Sequence, residues 1–164
     1  MTTKVIEEIF ELNQDVSGIV ERDLAAKTAD ASVVPIWEYP VPVGYSLVFD
    51  GKDQFSAYLE DNETTPAECA ATAVAAVKVD IVIMDASKQN VRSVLNMRRY
   101  GDVKEFQDED KIAVLDIAPG EQVIAREGER VCIRADSPGT IVTIDTSDCY
   151  FRLSCKRVRQ TLFG

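Results

Sequence analysis

A mainly β fold, an antiparallel β-sandwich, is predicted by three features of this 164-residue sequence. From Lys111 to Arg159 short runs alternate with period two: KIAVLDI, EQVIA, RVCIRAD, TIVTIDT and CYFRLSCKRVR. The segments between them, PGE, REGE, DSPG and TSD, carry turn chemistry, and they recur at roughly the 8–12-residue spacing of sandwiches and barrels. The middle of the chain adds VKVDIVIM, whose Val77, Val79, Ile81 and Ile83 share one face of an extended backbone.

Taken in order, the opening reads differently. Val5, Ile9, Leu12, Val16 and Ile19 recur at steps of four and three, which is an a/d seam on a helix. Thr2 or Thr3 would cap it, and the acids of the first turns suit the positive end of the helix dipole. The spacing predicts a helix from about Lys4 to Ala26, weakened at Gly18 by about 1 kcal/mol relative to alanine. Its apolar stripe has two destinations, the chain's own sheet or a neighbouring subunit. Residues 27–34 are small and polar, so the expected organisation is a helical arm and linker over 1–34 and a sandwich over 35–164.

Pro35-Ile36-Trp37 leads into EYPVPVGYSLVF. Pro40 and Pro42 cannot donate to a ladder, so this stretch begins as an edge or extended segment, with a proper strand from Tyr45 to Phe49. Asp50-Gly51-Lys52-Asp53 is a turn. FSAYLED is a short strand or helical turn, and residues 61–68 form a loop. The alanine-rich run from Cys69 passes into VKVDIVIM, and the same parity carried backwards adds Ala71, Ala73 and Ala75 to its face. SVLNMRRY is a further strand or short helix, followed by a charged turn over 101–110.

Little here carries chemistry. The chain has no histidine, the usual general base. Its carboxylates, Asp102, Glu105, Asp108, Glu109, Asp110, Asp145 and Asp148, fall in predicted turns, several beside lysines, as solvated loops do. QDEDK lacks the glycine and the terminal glutamate of a calcium loop. No phosphate-binding glycine motif and no G-x-S-x-G occur. No catalytic, cofactor-binding or metal residue is therefore assigned, and the protein is read as non-enzymatic. With 28 acidic against 18 basic residues the net charge is −10, which opposes approach to nucleic acid and to anionic membranes. No run of about 18 apolar residues marks a membrane helix. The acidic, amphipathic opening does not read as a secretory leader, so folding in the cytoplasm is expected.

Cys149, Phe151, Leu153 and Cys155 share a face by period two and are expected in the core, while Cys132, between Arg130 and Arg134, and Cys69 are expected nearer the surface. Basic residues cluster at Arg92, Arg98 and Arg99, and again at Arg152, Lys156, Arg157 and Arg159. Arginine pairs well with carboxylates across interfaces, so these clusters point to acidic surface on a protein partner.

The arm VIEEIFELNQDVSGIV, the stretch WEYPVPVGYSLVF, and the block DKIAVLDIAPGEQVIAREGERVCIRADSPGTIVTI ending in DCYFRLSCKRVR together resemble a jelly-roll β-sandwich with an N-terminal amphipathic helical arm. In outline this is similar to the head decoration (cement) proteins of tailed phages and related capsid-associated sandwiches. The resemblance implies a structural protein of the virion's capsid surface, bound to the major capsid protein or another virion protein. It also implies a homo-oligomer, a trimer being favoured, with no nucleic acid, membrane or cofactor partner. Val5, Ile9, Leu12, Val16 and Ile19 would bury their seam on that partner. Trp37 and Tyr39 would lie across it, and Arg98 and Arg99 would meet its acids. The alternative is a carbohydrate- or receptor-binding module of a fibre or tail, with Trp37, Tyr39, Tyr45, Tyr58 or Tyr100 as a stacking platform.

Overall fold

Alternation of apolar and polar side chains forces each strand to bury one face, and two such faces cover each other. The computed structural model describes residues 2–14, 22–24, 34–59, 77–104, 111–136, 142–144 and 150–163; for 2–14, 22–24, 34, 142–144, 150 and 160–163 it describes the backbone alone. The strands are β1 Thr2–Gln14, β2 Arg22–Leu24, β3 Val34–Pro40, β4 Tyr45–Asp50, β5 Gln54–Tyr58, β6 Lys78–Met84 and β7 Arg92–Arg99. They continue with β8 Ala113–Val114, β9 Gln122–Ala125, β10 Arg130–Asp136, β11 Val142–Ile144 and β12 Tyr150–Phe163.

All the ladders between these strands are antiparallel. One sheet runs β8-β5-β12-β4-β9, with β1 also on β12; the other runs β3-β10-β6-β7; β2 and β11 pair separately. Leu47, Phe49, Phe55, Phe151, Leu153 and Cys155 of the first sheet meet Trp37, Val79, Ile81, Ile83, Val131 and Ile133 of the second in one core. The Trp37 ring meets the Phe151 ring edge-on at 4.5 Å, a contact that ties the two layers together. The predicted parity of Val77, Val79, Ile81 and Ile83 holds, since all four are at most 1% exposed. The predicted strand over SVLNMRRY is present as β7, and Phe55–Tyr58 of FSAYLED lie in β5 rather than in a helical turn. Ala71, Ala73, Ala75, Cys69 and Cys149 lie outside the described residues.

The helix expected from Lys4 is not there over 2–14. Those residues form β1, in register with β12 from Thr2 opposite Phe163 to Gln14 opposite Phe151. β-branched Val5, Ile6 and Ile9, with Phe10, suit a strand, and pairing over thirteen residues overrides the helical period of the seam. Val16 and Ile19 lie outside the described residues.

β12 is longer than either strand on its other edge. Tyr150–Leu153 pair with β5 and Lys156–Arg159 pair with β4, both strands running the same way, so β4 and β5 act as one strand broken at 51–53. Ser154 stands opposite the break. Its hydroxyl donates to Asp53 Oδ1 at 3.0 Å and accepts the Gln54 N–H at 2.9 Å. Asp53 Oδ2 accepts the Asp50 N–H at 2.9 Å, and the Asp53 carbonyl accepts the Leu115 N–H at 3.0 Å. Burial raises the Asp53 pKa, opposed by these hydrogen bonds from Asp50 and Ser154.

Two substitutions test this framework. An added Cβ on Gly51 would clash with the Ile117 carbonyl, well inside van der Waals contact, and that group is backbone and cannot swing away. Gly51→Ala is expected to cost about 1–3 kcal/mol in a urea titration. Tyr100 is fully buried, and its hydroxyl accepts the Leu59 N–H at 2.9 Å. Tyr100→Phe strands that donor in the core, so a loss of about 1–3 kcal/mol is expected; an unchanged urea midpoint would contradict the assignment.

Candidate assembly surface

Backbone left unpaired at a sheet's edge and apolar side chains left in water are the features a neighbour can use. β12 runs past the last β4 pair, Arg159 opposite Tyr45, and Gln160–Phe163 continue against Val5–Thr2. Among the described residues this end is a two-stranded ribbon that overhangs the sheet by roughly 13 Å, four residues at the strand rise. β1 carries Glu7, Glu8 and Glu11, while β12 carries Arg152, Lys156, Arg157 and Arg159. In register Glu8 faces Arg157 and Ile9 faces Lys156. The basic cluster thus lies along an acidic strand of its own chain.

At the same end the sandwich interior is closed by aromatic rings and cations. Trp37 and Tyr39 stack at 5.8 Å and 14°, and the guanidinium carbons of Arg157 and Arg159 lie 5.1 and 5.6 Å from the centre of the Tyr45 ring. Burial raises the Tyr39 pKa, with Arg157 opposing it. The turn over 41–44 is bound to the turn over 126–129. Val41 exchanges backbone hydrogen bonds with Glu129 and Gly128, and Gly44 N–H donates to Glu127 Oε2 at 2.8 Å. Gly44 and Gly128 have φ of 84° and 81°, which glycine adopts without strain. Arg92 reaches the Ile124 carbonyl at 2.8 Å and pairs with Glu129, joining the second sheet to the first. This leaves Val43, in Pro42-Val43-Gly44, 86% exposed.

A recess lies at the other end of β4. Asp50, Gly51, Lys52, Ile117, Pro119, Gly120, Glu121 and Gln122 line an open groove of about 400 Å3.

The edge strand β7 is bound to the segment after β8. Asp116 N–H donates to the Val94 carbonyl at 2.9 Å, Asp116 Oδ2 accepts the Asn96 N–H at 2.8 Å, and Arg98 donates to Asp116 Oδ1 at 2.6 Å. Arg98 therefore has an acid within its own fold, and Arg99 is exposed beside it. The loop after β6 is closed by Asp85, which accepts hydrogen bonds from Ser87, Gln89 and Asn90; these hold its pKa below the usual carboxylate value.

The remaining expected partner residues are scattered. Trp37 is corrected outright: it is 3% exposed and belongs to the core, because its strand is sandwiched by Ile133 beside it and Phe151 across the layers. Tyr39 is half-buried against it. In a strand Val5 and Ile9 have one parity and Leu12 the other, so the helical seam does not survive as a single stripe. Cys132 also departs from expectation: it is fully buried with Val82 and Met84 on the outer face of the second sheet. The pairs Arg130–Glu38 (2.9 Å) and Arg134–Asp80 (2.9 and 2.5 Å) flank it. Burial pushes its thiol up to about 11, and that of Cys155 to about 12, so neither is a ready nucleophile. Among the described residues no group of three metal-binding side chains occurs, and no helix is long and apolar enough to cross a membrane. Sequence reasoning missed Val43, although a valine held between proline and glycine in a turn has little room to turn inward.

No protein-family model matches the sequence, and no curated protein matches it. In fold the chain is similar to VP17, a capsid protein of bacteriophage P23-77, with a TM-score of 0.55 and 8% identity over 99% of this chain and 100% of that one.

Removing Met1–Gln14 would bare the β12 edge along its whole register with β1. The truncated chain is expected to lose several kcal/mol and more than about 10 °C in Tm, or to aggregate through the exposed edge. Circular dichroism melts and solubility measure this, and an unchanged melt would mean that β1 is dispensable to the sheet.

Proposed function

We propose that this protein is a structural component of a virus particle, a jelly-roll subunit that binds neighbouring shell proteins and holds the capsid lattice together as a cement protein does. The observation that carries the proposal is the strand order. With β4–β5 counted as one broken strand, and β8–β9 likewise, eight positions follow in chain order: β1, β3, β4–β5, β6, β7, β8–β9, β10 and β12. They alternate in the manner of two interlocked Greek keys, giving β1, β12, β4–β5, β8–β9 in one layer and β3, β10, β6, β7 in the other. The likeness to a phage capsid protein across the full length of both chains supports the same reading.

What the fold does with its side chains agrees with a rigid adaptor. Among the described arginines, Arg92, Arg98, Arg130 and Arg134 each pair with an acid of the same chain. The sugar-platform alternative loses its main residues, since Trp37 and Tyr100 are in the core and Tyr45 lies under two guanidinium groups. The overhanging ribbon and the turn around Val43 are then the parts available for bridging, with the protein itself a homo-oligomer on the outer face of the shell.

The test is particle composition. In particles purified from the native host, quantitative mass spectrometry is expected to find this chain at a copy number comparable with the lattice, and cryo-electron microscopy to place it at contacts between shell subunits. Its absence from purified particles would overturn the proposal.

A further inference from the structure

We infer that copies of this protein associate head to tail, the Val43 turn of one entering the groove between Gly51 and Pro119 of the next. The inference deepens the shell-component reading and rests on it. Val43 is the most exposed of the large apolar side chains among the described residues, at 86%. The turn that presents it is stiff: Pro42 precedes it, Gly44 takes φ of 84°, and the Gly44 N–H is held by Glu127. A preorganised apolar knob loses little freedom when it binds.

The groove offers the matching shape. Ile117 and Pro119 give it an apolar lining, and it has about 400 Å3, enough for a valine with its neighbouring proline. Its wall is fixed by the close approach of Gly51 to the Ile117 carbonyl. Knob and groove lie at opposite ends of β4, roughly 25 Å apart at the strand rise, so no chain fills its own groove. The charges beside them also complement each other. Arg126 and Glu127 flank the knob, and Asp50, Lys52 and Glu121 line the groove, which allows Glu127 to meet Lys52 and Arg126 to meet Glu121. A contact between two different patches of one chain is heterologous, so it repeats into rings or rows, as a lattice protein requires.

Light scattering on the purified full-length chain, over a range of concentration, tests the contact. Wild type is expected to form oligomers that dissociate on dilution. Val43→Asp removes the knob at an exposed position, and Gln122→Trp fills the groove from an exposed position; each is expected to keep the wild-type melt and weaken association by about tenfold or more. Mixed in equal amounts, the two variants have one intact knob and one intact groove between them. They are expected to give a dimer and nothing larger. A wild-type chain that stays monomeric at about 100 µM overturns the contact. So do variants that assemble like wild type, or a mixture that stays monomeric. None of these results bears on particle composition, which tests the shell reading by itself.

Discussion

The pairing of β12 along both of its edges is the constraint on which the rest of the first sheet depends. One edge carries β1 for thirteen residues; the other carries β5 and then β4. Because the side-chain period is two, this single strand fixes which face of β4 and β5 is buried. Phe151, Leu153 and Cys155 point into the core, and the register therefore sends Ala57, Phe55 and Leu47 there as well. A slip of one residue would turn Arg152, Ser154 and Lys156 inward, where three polar groups would lose their water. The hydrophobic pattern thus sets the register without help from a short hairpin turn.

The break opposite Ser154 follows from the same constraint. β4 and β5 must both follow β12 but hydrogen-bond to different outer neighbours, β9 and β8. Three residues between them, Gly51 to Asp53, let the chain change neighbours without leaving the sheet. Their backbone groups would otherwise be orphaned, and Asp50, Asp53 and Ser154 side chains take up part of that bonding. The groove beside Gly51 is the space left where the outer strands part, so it is a direct product of the sheet's topology.

Much of the fold was legible locally. The parity of β6 and β10, the turn at 50–53, and the core placement of Phe151 and Cys155 could all be read from period-two alternation, because each depends on neighbours within a few residues. What failed depended on distant partners. The seam Val5, Ile9, Leu12 is as consistent with a helix as with a strand until β12, about 150 residues away, is known to lie beside it. Trp37 looked available because prolines surround it, yet burial of an indole against Phe151 from the other sheet outweighs the edge character of its strand. Cys132 has the parity of a surface residue, and nothing near it in sequence announces the outer-face cluster with Val82 and Met84. The candidate surface was the least legible part, since a knob and a groove are properties of turns brought together by the sheets.

Charge is organised by the same logic. A net charge of −10 would suggest an evenly acidic surface, but the chain sets its acids and bases against each other: an acidic β1 beside a basic β12, and four described arginines on four separate acids. Solvent-exposed pairs of this kind contribute little to stability, about 0–1 kcal/mol each. Their stronger effect is on specificity. The pair Arg134–Asp80, with Asp80 only 5% exposed, is costly to leave half-made, so it disfavours any register that separates β10 from β6 at that point. The shell role proposed above asks for the same surface in every copy. In this chain apolar alternation makes the layers and ion pairs exclude the near-miss registers, which leaves the turns at the ends of β4 free to differ in shape without disturbing the sheets that hold them.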